Sequence, residues 1–564
     1  MLNLLSVFLA LVSLQLVLAD PSFIINSNQK VTGKNENERV ESFKGIPFAE
    51  PPLRNLRFAP PIPFNQSYDQ IQATAFKSSC MGINPVGVID ALRTAVGVIP
   101  FNNVLTQIIK PLEGVFTMAD TNEDCLYFNI YRPAGTKPGD NLPVMVWFFG
   151  GAFVFGTGNT YDGTRYVEAS IDLKEPVIVV TMNHRLAAWG FLGGKAVKNE
   201  GSGNVGLLDQ RMVLEWIADH IKDVGGNPDK VTLFGESAGG MSIWGQMEMY
   251  DGDHTYNGKP LFHGAIMQSG SVLPLETIDN ERSQKLADRF IKAAECDNRS
   301  DKDTMSCLRG KSTQELDRAM NTFSVFENFG ILDMFVTWAP RADGKYIRDI
   351  PHKLTDQRKF AKVPIIIGDQ EDEATLFAPI LPAMSDADTY QIAKTLLLSA
   401  TENDIQKLLA LYPNDQTKGA PFRTRYLNTL TPQFKRLAGL LTDVLYHNNR
   451  RRVLHAAEGV DRYNYFATTL HNVLPFFGTT HANDLVWQWF LNLGPYKAYI
   501  NYFLSFANHQ DPNVNNGGLP NWPKYTNDGK DTLEIGFNSL GTTKDDFREE
   551  EIQYMIDNPS VIAF

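Results

Sequence analysis

Apolar positions along this chain fall into two recurring patterns. Short unbroken runs rich in β-branched residues occur at Val144-Met145-Val146-Trp147-Phe148-Phe149, Val177-Ile178-Val179-Val180-Thr181, Val231-Thr232-Leu233-Phe234 and Val363-Pro364-Ile365-Ile366-Ile367. Each ends in Gly or a polar turn. Without the alternation of a half-exposed strand, they predict strands buried on both faces of a parallel sheet. Pro364 has no N–H for a central ladder and is expected at the start of its strand. Between the runs the period changes. Over Arg211 to Val224, the residues Val213, Leu214, Ile217, Ala218 and Ile221 recur at helical spacing. Strand and helix alternate with no internal repeat, no low-complexity linker and no break in composition. One large α/β domain over residues 20–564 follows, its mostly parallel central sheet flanked by helices.

The first nineteen residues, MLNLLSVFLALVSLQLVLA, carry no charged side chain. Val17 and Ala19 fit a small-residue cleavage site, so residues 1–19 are expected to be a secretory signal peptide. The alternative, a membrane anchor, would need a longer run and basic flanks. No later stretch approaches the ~18 uninterrupted apolar residues of a spanning helix, so no stable membrane insertion is expected.

Composition narrows the partners. Apolar residues make up 43% and charged residues 21%, which excludes a disordered or collagen-like chain. The net charge of −12 argues against nucleic acid, whose phosphates need clustered Lys and Arg. Four cysteines, Cys80, Cys125, Cys296 and Cys307, suit two disulfides in a secreted chain. Of the three possible connectivities, sequential pairing closes the shortest loops and is the expected one. Asn65-Gln66-Ser67 and Asn298-Arg299-Ser300 are glycosylation sequons at Asn65 and Asn298. No metal or cofactor is expected. There is no HExxH; Met305 stands where a P-loop ending in Gly310-Lys311-Ser312 needs its first Gly; and Tyr256 stands where an EF-hand starting at Asp251 needs its own.

The chemistry concentrates at Gly235-Glu236-Ser237-Ala238-Gly239, directly behind the run Val231–Phe234. This is G-x-S-x-G between a buried strand and a predicted helix, a turn that lifts a serine oxygen to the end of a sheet. A serine alcohol needs a base, and the base needs an orienting carboxylate. In this arrangement the chain order is Ser, acid, His. The run Val363–Ile367 leads into Gly368-Asp369-Gln370-Glu371-Asp372-Glu373, and spacing does not choose among its four carboxylates. Of the ten histidines, five follow: His447, His455, His471, His481 and His509. His481 sits in a turn-rich loop, Gly478–Asp484, and His471 competes with it. His447 and His455 lie in a helical stretch beside Arg450-Arg451-Arg452 and read as surface groups. Phe149-Gly150-Gly151-Ala152-Phe153, behind a strand, reads as a loop whose N–H groups, with that of Ala238, surround an oxyanion.

Together with GESAGG, the segment Glu123-Asp124-Cys125-Leu126-Tyr127-Phe128-Asn129-Ile130-Tyr131 resembles the type-B carboxylesterase/lipase family. The resemblance runs from Phe43-Lys44-Gly45-Ile46-Pro47-Phe48-Ala49 nearly to the C-terminus, and is strongest toward the family's fungal lipases. It implies an α/β-hydrolase fold and resolves the open choices. The family acid lies in D-E-G-T, matched by Asp372-Glu373-Ala374-Thr375, so Glu373 is implied. The family histidine follows G-T-x-H, which implies His481. The oxyanion donors map to Gly151, Ala152 and Ala238. Ser269 matches a serine that supports the acid, and Glu236 is a supporting residue beside the nucleophile. Arg57 with Glu123 and Arg185 with Asp209 match structural ion pairs, and the family pairs its cysteines sequentially. Two positions depart from the pattern. Ala152 stands for a third Gly, which stiffens the loop, and Ala374 stands for the Gly after the acid, where a positive φ would be strained.

Forty-four residues separate Cys80 from Cys125. Within them, Val88, Ile89, Leu92, Ala95, Val96 and Ile99, then Val104, Leu105, Ile108, Ile109 and Leu112, mark two apolar-faced segments. In the resembling lipases this stretch, 81–124 here, is a lid. The expectation is therefore a secreted, monomeric triacylglycerol lipase acting on long-chain esters at an oil–water interface. A carboxylesterase or sterol esterase is the alternative, and a non-catalytic binding protein of the same fold a remote one. Phe323, Phe326, Phe329, Met334 and Phe335 suggest a tunnel lining, although such stripes more often belong to a core.

Overall fold

Three of the four apolar runs lie side by side at the centre of an eleven-stranded sheet, and the fourth, Val363–Ile367, lies one strand removed from them. The structure is a computed structural model that describes residues 19–25, 29–65, 70–83, 120–323, 337–378, 383–491 and 493–563. In chain order the strands are β1 (Lys34–Asn35), β2 (Val40–Pro47), β3 (Tyr127–Pro133), β4 (Leu142–Phe148), β5 (Ile178–Met182), β6 (Gly226–Glu236), β7 (Gly264–Gln268), β8 (Ile365–Gln370), β9 (Arg462–Ala467), β10 (Asp531–Ile535) and β11 (Leu540–Lys544). Their order across the sheet is β11-β10-β9-β8-β7-β6-β4-β5-β3-β2-β1. Every pair from β5 through β10 is parallel. The antiparallel strands β1, β2, β3 and β11 lie at the two margins.

Alternate residues of the central strands feed two cores. Val144, Val146, Phe148, Val231 and Leu233 cluster with Val213, Leu214 and Ile217 of one helix and Ile243, Trp244 and Met247 of another. Met145, Trp147, Phe234 and Ile266 point the other way, into Tyr166, Val167, Tyr499, Phe503 and Phe506. The helices concerned are α1 (Thr164–Leu173), α2 (Val205–His220), α3 (Ala238–Glu248) and α6 (Tyr496–His509); α4 (Phe434–Thr442) and α5 (Asn448–Ala456) run behind the acid loop described below. Burial on both faces is why these strands show no alternation in sequence.

Helix α2 begins six residues before the periodic stretch that predicts it. Its first seven residues, Val205 to Arg211, are all buried, so that turn carries no polar face to give a period. Pro364 immediately precedes β8, and its carbonyl still accepts from the Ala265 N–H at 3.1 Å. The disulfides pair Cys80 with Cys125 and Cys296 with Cys307. Closing the 45-residue loop of the first contributes about 4 kcal/mol by restricting the unfolded chain. Arg57–Glu123 and Arg185–Asp209 are buried ion pairs at 2.5 and 2.7 Å. Asn65 and Asn298 are exposed. Residues 1–18, 66–69 and 84–119 lie outside the described residues, and with them the body of the expected signal peptide and of the lid. Phe326, Phe329, Met334 and Phe335 also lie outside them. Phe323 is buried edge-on against Trp338.

One expectation is overturned. Arg450-Arg451-Arg452 is no surface run, and its neighbour His447 is fully buried; His455 is half-buried. Arg450 Nε meets Asp369 at 2.8 Å, while its two terminal nitrogens meet Asp545 at 2.9 and 2.8 Å. Arg451 shares Asp545, and Arg452 takes Asp356. The partners sit 81 to 96 positions away, so the run could not be told from a solvated patch locally. Burial pushes Asp369 up to about 6 even beside this cation. Truncation of Arg450 therefore strands the buried Asp369 and leaves Asp545 to Arg451 alone. Arg450→Met should destabilise the protein by about 3–5 kcal/mol, read as a lower urea midpoint at neutral pH. An unchanged midpoint would show the cluster to be dispensable.

Candidate active site

At the end of β6 the backbone must turn from a buried strand into α3 within one residue. Ser237 makes that turn at φ 57° and ψ −125°, a conformation that costs of order 1–3 kcal/mol and persists only where the surroundings impose it. The surroundings are backbone. A Cβ on Gly239 would stand 1.9 Å from the Phe148 carbonyl, and one on Gly270 would stand 2.1 Å from the Ser237 carbonyl. Strand β4, helix α3 and the turn after β7 thus approach at a separation only glycine permits. The Ser237 N–H is held by the Gln268 carbonyl at 2.8 Å.

The same end of the sheet carries the partners. Ser269 follows β7, the acid segment follows β8, and the histidine loop follows β9, in the crevice beyond the carboxyl ends where α/β sheets bind ligands. His481 Nε2 lies 2.8 Å from Ser237 Oγ, and its Nδ1 lies 2.6 Å from Glu373 Oε2. The other carboxylate oxygen, Oε1, accepts the Gln370 N–H at 2.7 Å. All three side chains are almost fully buried. Burial disfavours charge on both members of the pair. It pushes the Glu373 carboxyl up to about 8, opposed mainly by Ser269 and Gln370, and the His481 imidazole down to about 4. The 2.6 Å contact needs a proton between Nδ1 and Oε2, and with the imidazole proton placed there Nε2 is the nitrogen left to accept from the serine.

The four carboxylates that spacing leaves open have four different partners. Asp369 neutralises Arg450. Glu371 takes Arg423 at 2.6 Å and His471 at 2.9 Å, which removes His471 from the serine. Asp372 accepts the N–H groups of Phe422 and Thr479, at 2.7 and 3.0 Å, and so ties the acid loop to the histidine loop. Only Glu373 meets His481. Ala374 sits in the single 3₁₀ turn Glu373–Leu376 and has no positive φ. Ser269 is buried beside the acid and draws its pKa down, yet its Oγ closes no hydrogen bond of ordinary geometry.

Behind β4, Gly151, Ala152 and Phe153 are all left-handed, with φ of 113°, 52° and 61°. For Ala152 and Phe153 this is strain, held in place by the Val154 and Phe155 N–H groups on the Gly151 carbonyl and by Phe149 stacked on His184 at 4.6 Å. The N–H groups of Gly151, Ala152 and Ala238 donate to no described residue. Such free, fixed donors beside a nucleophile are what a developing oxyanion needs. Glu236 is fully buried, and burial, with the charges of Asp484 and Glu373, drives its carboxyl well up; its Oε1 lies 3.3 Å from His481 Nε2.

Several contributors carry no local sequence signal. Tyr446 and Phe377 flank the imidazole at 4.9 and 5.4 Å between ring centres. Asp484, three residues after His481, is held by Gln268 at 2.6 Å and Tyr465 at 3.1 Å, and burial pushes it up to about 6. Its place beside His481 was visible, but not its burial. Among the described residues no His, Cys, Asp and Glu group could hold a metal ion.

Comparison with known proteins places this geometry in context. The sequence model of the carboxylesterase family matches residues 23–555. Lipase 2 of Geotrichum candidum is 46% identical over 558 residues, 97% of this chain and 97% of that protein. A secreted triacylglycerol lipase of Gibberella zeae is 36% identical over 539 residues, covering 93% and 88%. The crystal structure of Aspergillus niger EstA superposes with a TM-score of 0.78 at 23% identity, over 96% of this chain and 99% of that one.

If Nε2 must be unprotonated to take the serine proton, its lowered pKa fixes the acid side of the pH profile. Activity is lost only as pH falls through the folded-state pKa, well below the ordinary imidazole value near 6.5. With a soluble ester, kcat/KM should stay flat from neutral pH down past 6 in protein that fluorescence shows to be folded. An acid limb centred at 6.5 or above would contradict the assignment.

Proposed function

This chain belongs to the carboxylesterase family and is an ester hydrolase, and from that premise we propose that it is a secreted triacylglycerol lipase working through Ser237, His481 and Glu373. The observation that carries the mechanism is the continuous run of contacts from Glu373 through His481 to Ser237, at 2.6 and 2.8 Å. His481 takes the proton of Ser237 as its oxygen attacks the ester carbonyl, and Glu373 holds the imidazole and stabilises the imidazolium. The N–H groups of Gly151, Ala152 and Ala238 receive the oxyanion. His481 then protonates the departing alcohol, and water repeats the sequence on the acyl-enzyme.

Preference for lipid esters is supported by the likeness to lipases over nearly the whole chain. It is supported also by the two apolar-faced segments between Cys80 and Cys125, read from sequence as a lid on residues 81–124. Export after cleavage of residues 1–19 accords with two disulfides, with exposed Asn65 and Asn298 as glycosylation sites, and with secreted relatives. No helix among the described residues is long and apolar enough to cross a membrane. The protein is proposed to act as a monomer.

Two measurements test the reading. Ser237→Ala should lower kcat by about 10⁴–10⁶-fold without loss of folded protein, whereas a folded, active variant would refute the nucleophile. Hydrolysis of tributyrin, followed through its solubility limit, should rise sharply once droplets form. Saturation below that limit would favour a soluble-ester or sterol esterase, and no hydrolysis of any ester by folded protein would favour a binding protein.

A further inference from the structure

Behind the acid loop, the helical stretch from α4 to α5 is interrupted by one π turn, Asp443–His447, closed by the Asn448 N–H on the Asp443 carbonyl. A π turn inserts an extra residue at a cost and occurs mostly where function demands it. Here the wider turn lets three neighbouring side chains reach the proposed triad together. Thr442 Oγ1 accepts the Ala374 N–H at 3.0 Å. The Tyr446 ring lies 4.9 Å from His481. His447 Nε2 lies 3.0 Å from the Gln370 carbonyl.

The last contact has one chemical reading. A carbonyl oxygen only accepts, so Nε2 of His447 carries its proton and donates. Nδ1, on the far side, is clamped. It lies 2.9 Å from Asp443 Oδ1 and 2.8 Å from Arg548 Nη2, and Arg548 in turn makes both of its Asp443 contacts at 2.7 and 2.8 Å. Tyr412 completes the Asp443 carboxylate at 2.7 Å. The rings of Phe466 and Phe547 pack against the imidazole at 5.9 and 5.2 Å. His447 is wholly buried and cannot change rotamer without breaking this set. Its anchor, Gln370, is the residue whose N–H holds Glu373 Oε1. The two peptide groups flanking the Gln370 Cα thus serve the two sides: one is pinned by His447, the other aims its N–H at the acid.

We propose that His447 is a positioning residue for the hydrolysis: by fixing the Gln370 carbonyl it sets the backbone angle at which the Gln370 N–H orients Glu373, and through Glu373 the His481 ring. The proposal rests on the triad reading above. It gives the π turn and the buried Asp443–Arg548 pair a task in catalysis beyond stability.

The test compares His447→Phe, which removes the donor, with His447→Gln, which keeps an N–H donor on a flexible arm, in the full-length protein and with a soluble short-chain ester. Asp443 and Arg548 still pair in both, so neither leaves a lone buried charge. His447→Phe should lower kcat about 10–100-fold with KM changed less than about two-fold, because the acid is misaimed while substrate contacts remain. The far-downfield proton resonance of the His481–Glu373 contact should shift or broaden. His447→Gln should recover most of kcat and restore the resonance. A folded His447→Phe with unchanged kcat and resonance overturns the proposal. So does an equal loss in both variants, which would mark a packing role. If the Phe variant does not fold, the Gln variant decides alone: kcat and resonance retained support the proposal, and their loss in folded protein overturns it. Ser237→Ala measured alongside separates the two readings, since residual activity there removes the triad itself, whatever the His447 variants do.

Discussion

The site depends on one close approach: backbone against backbone around Ser237. The Phe148 carbonyl, the start of α3 and the turn at Gly270 meet at distances that leave no room for a Cβ. This contact forces the serine into its strained conformation and prevents relaxation, because any relief would part β4 from β6 or β6 from β7. It also brings the loop Gly151–Phe153, the proposed oxyanion loop, which leaves β4, to the same side as Ser237, which leaves β6. Both are fixed before any substrate arrives, so little reorganisation is required when charge develops. The parallel strands β4, β6, β7, β8 and β9 end together, and the functional loops are the extensions of those ends.

Electrostatics behind the site follows from the same burial. Desolvation pushes every carboxyl near His481 toward its neutral form, Glu236 and Glu373 among them, and pushes the imidazole the same way. The ionised members are those with an arginine. Asp443 faces Arg548 and Asp545 faces Arg450, and the cation holds each well below the usual carboxylate range. Burial thus shifts the carboxyls beside His481 toward protonation, while arginine partners keep Asp443 and Asp545 ionised behind them. The Gln370 peptide groups stand at the boundary.

Strands β4, β5, β6 and β8 were legible because burial on both faces leaves an unbroken apolar run. The proposed nucleophile, Ser237, stood out in the sequence because its motif lies directly behind such a run. The acid and base were not legible from spacing. Asp369, Glu371, Asp372 and Glu373 are equivalent in sequence and differ only in which distant group meets each, so Glu373 and His481 came from resemblance. The misreading of His447 and His455 as surface groups beside Arg450–Arg452 has the same origin. Three successive cations look solvated, and their acidic partners lie in strands and loops that no local pattern connects. The marginal strands β1, β2, β3 and β11 escaped, as did β7, β9 and β10, because none carries a long β-branched apolar run; β9, for example, buries Arg462 and Asn464 in its ladder.

From β6 onward the sheet adds its strands in the order in which the chain is made: β6, β7, β8, β9, β10, β11. Ser237 leaves the ribosome first, Glu373 next and His481 third, and the groups that neutralise the layer behind them, Asp545 and Arg548, come within the final twenty residues. An elongating chain can therefore build the nucleophile's turn early yet lack a base, and can acquire the base yet lack its charged backing. In chain order, then, the whole of the proposed site and its charged backing is complete only with the C-terminal segment.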